Sequence, residues 1–320
     1  MNGEDKMKKI SLFLAIVMLF ILVGCSKQPE ETNTITLQDV ISTEEIDFSD
    51  RNTEMNIWFK FEYNYNNTYK NTVLNFYNTL DEYIITEAEN THNYDDEGIY
   101  ISFWSFDYNH VGFEVYDDDI IRISKGTDFL YYKCDGVYDT IKKDIDILTT
   151  EADKYYKIEY TEFLYTYTIF DKNGNVIFED TTNRDPHIFL VDENTVVKWI
   201  QSGTGILTRG AYFYNYDTGE ISNLIWGQID WHNGYVCSAC SGAVYVHKIF
   251  GSDEVKVYDG FDKQIASFIE NVQSARFIND GKQIEVKYWT ELEDTNELQT
   301  QIFDVDKPDR IATYDVLFNN

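Results

Sequence analysis

The chain has 320 residues, 43% of them apolar and 26% charged, enough for one large or two ordinary domains with proper cores. Acidic residues number 56 against 26 Lys and Arg, a net charge of −30, which excludes attraction to nucleic acid or to an anionic lipid surface through charge. With 25 Tyr and 21 Phe against 3 Pro, the aromatic content favours strands over helices.

At the start, Lys8 and Lys9 precede an apolar run from Ile10 to Val23, followed by Gly24-Cys25. The run is too short and wrongly flanked for an ordinary spanning helix. The tetrad Leu22-Val23-Gly24-Cys25 resembles the lipobox of bacterial lipoproteins. That resemblance implies that residues 1–24 are a signal peptide and that Cys25 carries diacylglycerol. The protein would then be lipid-anchored at the cell membrane, facing outside the cytoplasm. A cleaved signal peptide with a chance cysteine at its end is the plainer alternative. Residues 25–50 read as a polar tether.

Residues 51–150 read as an α+β module. Tyr69, Val73, Phe76, Tyr77, Leu80, Tyr83 and Ile84 recur at helical spacing, which predicts one amphipathic helix. Four alternating runs follow, "GIYISFWSF", "VGFEVYD", "DIIRISK" and "DFLYYKC", and predict two hairpins. Val137, Ile141, Ile145 and Leu148 predict a second, shorter helix.

Residues 151–320 read as strands alone, with a repeat. Val176, Ile221, Ile265 and Ile311 fall about 45 residues apart, and each unit holds four runs parted by turns. The last unit, in "ARFINDGKQIEV" and "QIFDV", resembles blades of the WD40 and TolB-like propeller families, without the Gly-His and Trp-Asp dipeptides of true WD40 repeats. The expected fold is therefore mainly β, a small α+β module followed by a C-terminal β-propeller-like repeat domain of four-stranded blades. A β-sandwich is the competing architecture.

The stretch "WHNGYVCSACSGAVYVH" holds a Cys-x-x-Cys pair between two histidines. Laid on the repeat, Cys237 and Cys240 flank the tip of a hairpin halfway between the turns at Asp192 and Asp280. Residues opposed across a two-residue turn lie within disulfide range, whereas a pair three apart on one continuous strand points to opposite faces. The turn placement and an exported address favour a disulfide. Reduced thiols, a metal pair two ligands short and a thioredoxin-type dithiol remain as alternatives.

Two further elements, Asp185-Pro186-His187 and Asp230-Trp231-His232, lie one period apart in predicted loops. With Arg184 and Arg209 nearby they either line a ligand site at a channel mouth or brace the blade junctions through hydrogen bonds to histidine or loop backbone. Ala275-Arg276 at the third equivalent place favours bracing. Nothing resembles G-x-S-x-G, H-E-x-x-H or a P-loop, so no catalytic residue, cofactor or metal is expected. The functional expectation is a non-catalytic binding or scaffold protein with a protein, peptide or glycan partner at the cell envelope. The alternative is a glycan-active hydrolase or lyase on the same scaffold.

Overall fold

A computed structural model describes residues 35–315, apart from 43–45, 49–53, 60–62, 68–69, 93–97, 106–108, 126–127, 162, 185, 202–208, 260, 262–271 and 293–294. The lipobox and Cys25 lie outside the described residues. The protein is mainly β; the described residues form five antiparallel sheets, none of which closes on itself.

The first described element is helix α1 (Leu37–Ile41). Its capping box is reciprocal, with Thr36 Oγ1 accepting the Asp39 N–H and Asp39 accepting the Thr36 N–H. Leu37, Ile41, Ile46 and Phe48 are all buried in the main core. The tether expected over 25–50 does not extend across Leu37 to Phe48, whose apolar residues are drawn into the core; its earlier part lies outside the described residues.

Strands β1 (Glu54–Phe59), β2 (Tyr63–Asn67), β3 (Thr86–Glu87), β4 (Ile99–Trp104), β5 (His110–Val115), β6 (Ile120–Lys125) and β7 (Asp128–Lys133) form one sheet ordered β2-β1-β4-β5-β6-β7-β3. The four alternating runs are thus one meander, β4 to β7, extended by the β1–β2 hairpin. Helices α2 (Lys70–Thr79) and α3 (Val137–Ala152) stand close to the predicted spans. Alternation sends Ile99, Ile101, Phe103, Phe113, Val115, Ile121 and Ile123 to one face, where they share a core with Val73, Phe76, Ile141 and Ile145 of the helices. The same cluster takes in Tyr156, Tyr167, Ile169, Ile188, Leu190, Val196 and Tyr214. Apolar packing is thus continuous across residue 150.

The repeat region supplies four sheets. They are β8 (Tyr156–Thr161), β9 (Leu164–Phe170) and β10 (Val176–Thr182); β11 (Ile188–Asp192), β12 (Thr195–Gln201), β13 (Arg209–Asn215) and β14 (Ile225–Trp226); β15 (Gln228–His232), β16 (Tyr235–Cys240), β17 (Ala243–Lys248) and β18 (Glu254–Tyr258); and β19 (Val272–Ile278), β20 (Gln283–Leu292) and β21 (Thr295–Asp304). Strict alternation lets each sheet face two neighbours. On the β11–β14 sheet, Leu190 and Val196 join the first core, while Phe189, Val191, Val197 and Phe213 pack with Ile229, Trp231 and Val236 of the next sheet. The opposite face of that next sheet, through Cys237, Ala239, Val244 and Val246, packs on Ala275, Phe277, Ile284 and Val286. The result is a succession of sheets stacked face to face, about 10 Å per layer.

The last strand departs from the repeat. Strand β22 (Arg310–Thr313) does not return along β21 but pairs with β18 of the preceding sheet, Val255 facing Ala312 and Val257 facing Arg310. Tyr314, next in the chain, is buried at 3% exposure and donates its hydroxyl to the Leu224 carbonyl at 2.6 Å. One terminal segment thereby links three sheets.

The hairpin expected between Cys237 and Cys240 is also corrected. The β15–β16 turn is Asn233-Gly234 (φ 47 and 78) and the β16–β17 turn is Ser241-Gly242 (φ 52 and 74), both two-residue turns of left-handed residues. Both cysteines therefore sit on one uninterrupted strand, three positions apart, and face opposite ways. Cys237 is fully buried; Cys240 is partly exposed, with Sγ 3.6 Å from Ser241 Oγ. Neither forms a disulfide. Maleimide labelling of the native protein is expected to reach Cys240 first, with Cys134 and Cys237 reacting only after denaturant. If Cys237 and Cys240 stay unlabelled in denaturant until reductant is added, this arrangement is wrong.

Candidate functional site

Asp230, Trp231 and His232 lie within strand β15 rather than in a loop. Alternation puts Asp230 and His232 on one face and Trp231 on the other. Asp230 is fully buried opposite Cys237, and its Oδ2 accepts the Phe277 N–H of β19 at 2.5 Å. His232 Nε2 lies 3.3 Å from Asp280 Oδ1 and 3.1 Å from Asn233 Nδ2. Its ring occupies the space a Cβ at Gly281 would need, 2.3 Å from the imidazole. Gly281 closes the β19–β20 turn, in which Asn279, Asp280 and Gly281 all have positive φ, so only the missing side chain lets the imidazole seat there. Trp231, 8% exposed, packs on Phe189 with ring centroids 6.0 Å apart. These residues carry the contact between neighbouring sheets.

The other predicted residues fall elsewhere. His187 is exposed just before β11, its carbonyl accepting the Trp199 N–H at 2.9 Å. Arg184 is exposed, its backbone N–H bonded to Thr182 Oγ1. Arg209 opens β13 opposite Gln201, and Asp185 lies outside the described residues. The two Asp-x-His elements are thus not equivalent: one histidine precedes a strand and faces solvent, the other ends a strand and is held by the next sheet. The pattern repeats in sequence because both mark the start of a unit, not because both line one site.

A cleft of about 390 Å³ lies beneath the terminal segment, between Glu220–Ile225, the turn His247–Asp253 and Tyr314. Two side chains carry its chemistry. His247, on β17, is 4% exposed; its Nδ1 lies 3.1 Å from the Lys248 carbonyl, which makes Nδ1 the protonated nitrogen. The Tyr314 ring meets it edge on at 5.4 Å. Burial pushes the imidazole down to about 4 against a smaller upward pull from that carbonyl, and pushes the Tyr314 phenol up to about 12. The buried pair is therefore neutral near pH 7. Glu220, Lys248 and Asp253 are exposed around it, and Ser222 Oγ accepts the Phe213 N–H and donates to the Asn223 carbonyl. This arrangement suits hydrogen bonding to a polar uncharged group. Tyr314 gives its proton to a carbonyl rather than to the histidine, so no nucleophile and base are paired here.

In the sequence His247 stood out only as the second histidine flanking the Cys-x-x-Cys pair, and Tyr314 did not stand out at all. His247 is seven positions beyond Cys240, and its face becomes evident only from the Val236–His247 pairing. Tyr314 reaches the cleft only because β22 changes sheet. Among the described residues, no three His, Cys, Asp or Glu side chains converge as a metal set, and no helix is long and apolar enough to cross a membrane.

The buried histidine has a consequence for stability. Its folded pKa lies below its unfolded value, so its cost is absent above about pH 6.5 and grows as pH falls towards 4, where the unfolded chain binds a proton that the folded chain refuses. Between pH 7 and 4.5 the wild type should lose on the order of 2 to 3 kcal/mol more than His247→Gln. Parallel losses in urea titrations of the two proteins would reject this.

Known families and curated proteins offer no match to this chain. Among solved structures it is similar to a subtype N11 neuraminidase-like protein of A/flat-faced bat/Peru, at 12% identity and a TM-score of 0.13, over 69% of this chain and 79% of the other. A likeness of that size carries no argument.

Proposed function

We propose that this chain is an extracytoplasmic lipoprotein, held at the membrane by acylated Cys25, and that its folded part is a non-catalytic binding or scaffold protein on propeller-like stacked repeats. Its partner is an envelope protein, peptide or glycan. The observation that carries the address is Leu22-Val23-Gly24-Cys25 at the end of the Ile10–Val23 apolar run. The distance from Cys25 to the first core residue, Leu37, allows at most about 40 Å of extended chain, so the body works close to the bilayer. Binding rather than catalysis is supported by the cleft, where His247 and Tyr314 each spend a proton on a backbone carbonyl. A negative balance of 30 charges leaves anchoring to the lipid. Cys25→Ala is expected to move the protein from the membrane fraction to the soluble exported fraction. Unchanged membrane association of that variant would overturn the anchor.

A further inference from the structure

We infer that the outer face of the β1–β7 sheet is a binding platform for a neutral oligosaccharide, which names the partner class of the binding reading above and rests on it. The inner face is the apolar core, so the alternate residues of the same strands face away from it. Along β4 these are Tyr100, Ser102 and Trp104; their partners across β5 are Glu114, Gly112 and His110. The row continues from Glu114 to Arg122 of β6 and Tyr131 of β7.

Three features make this more than sheet packing. Ser102, 2% exposed, accepts the Trp104 indole N–H at 3.1 Å, so a buried hydroxyl fixes that ring. The hydroxyl end of Tyr100 lies over Gly112, where a Cβ would come within 2.7 Å of it. Trp104 is stacked on His110 at 4.4 Å and 14°, and His110 is exposed. Both aromatic rings remain partly exposed. Four positions along a strand separate them by about 13 Å, a span for an oligosaccharide rather than a single sugar.

Polar recognition is placed beside the rings. Arg122 donates to Glu114, which also accepts the Tyr116 hydroxyl at 2.9 Å, and the guanidinium lies 5.2 Å from the Phe129 ring. At 12% and 13% side-chain exposure this acid–base pair forms a fixed polar patch beside the rings and adds no net charge to the face. A chain carrying −30 repels polyanions, and a face whose Glu114 and Arg122 charges are paired with each other suits an uncharged ligand better than a cationic one. Rings fixed beforehand lose little freedom on binding, which is what a stacking site for sugars needs.

The test is affinity electrophoresis of the full-length protein in detergent through gels containing a neutral glucan, a neutral xylan, soluble chitin oligosaccharides or an anionic alginate. At least one neutral glycan should retard the wild type, and alginate should not. Trp104→Ala should weaken retardation about fivefold or more, Trp104→Phe should keep most of it, and His110→Ala, at an exposed position, should weaken it without changing the melting curve. The inference is overturned by no retardation on any neutral glycan, by retardation on alginate alone, or by a folded Trp104→Ala that binds like wild type. Anchoring is scored separately by Cys25→Ala fractionation, so loss of the glycan result leaves the address standing, and loss of the anchor leaves the glycan result standing.

Discussion

Tyr314→Ala is expected to destabilise the protein by about 3 to 5 kcal/mol, the range for emptying a large buried aromatic site. Tyr314 is 3% exposed and packs with Ala243, Tyr245, Val255 and Val257. Its N–H bonds the Asp253 carbonyl at 2.7 Å and its hydroxyl the Leu224 carbonyl at 2.6 Å. Deleting the side chain opens a cavity beside His247 and loosens β22, whose four residue pairs with β18 complete that sheet's edge. Tyr314→Phe keeps the ring and loses only the hydroxyl bond, about 1 kcal/mol. Urea titration followed by tryptophan fluorescence would read both variants. A loss below about 1 kcal/mol for the alanine variant would mean that the terminal segment is not docked on the β15–β18 sheet.

Asp230→Ala is expected to cost about 3 kcal/mol or more. A fully buried carboxylate accepting a backbone N–H at 2.5 Å leaves that donor inside an apolar junction when it is removed. Asp230→Asn keeps an acceptor oxygen near the Phe277 N–H and should lose about 1 kcal/mol. His232→Ala should lose less than about 1 kcal/mol, since its partner Asp280 is 81% exposed and the pair is screened by water. Equal and small losses for all three variants would show that the β15–β19 junction is held by apolar packing alone.

Local structure was largely legible. Period-3.6 spacing marked α2 and α3, and alternation marked β4 to β7 and the strands of the repeat, because side-chain direction is set by backbone geometry within a few residues. Asn233-Gly234 was also legible, being the dipeptide that most favours a two-residue hairpin; reading the turn from the repeat period instead placed it inside "CSAC". That misplacement assigned Cys237 and Cys240 to opposite strands, while the real turns on either side of β16 leave them on one. A displacement of a few residues in a turn reverses which side chains share a face.

The candidate site was less legible. The recurrence of Asp-x-His was visible, but burial decides its use, and Asp230 is buried only because β19 packs across β15. The cleft around His247 and Tyr314 depends on β22 crossing to β18. Backbone hydrogen bonds between strand edges are made by groups common to every residue, so the pairing partner of an edge leaves no mark in the chain.

By itself, then, the sequence determined the acidic balance, the helix and strand segments and the alternation within each strand, and it supplied the Leu22–Cys25 tetrad on which the proposed anchor rests, all properties of residues near one another in the chain. The tertiary structure alone decided which sheet each face covers, which edge receives β22, why Asp230 is buried and how Ser102 holds the Trp104 indole on the outer face of the first sheet. Those outcomes follow from contacts between residues far apart in the chain, whose energies depend on what else is packed beside them.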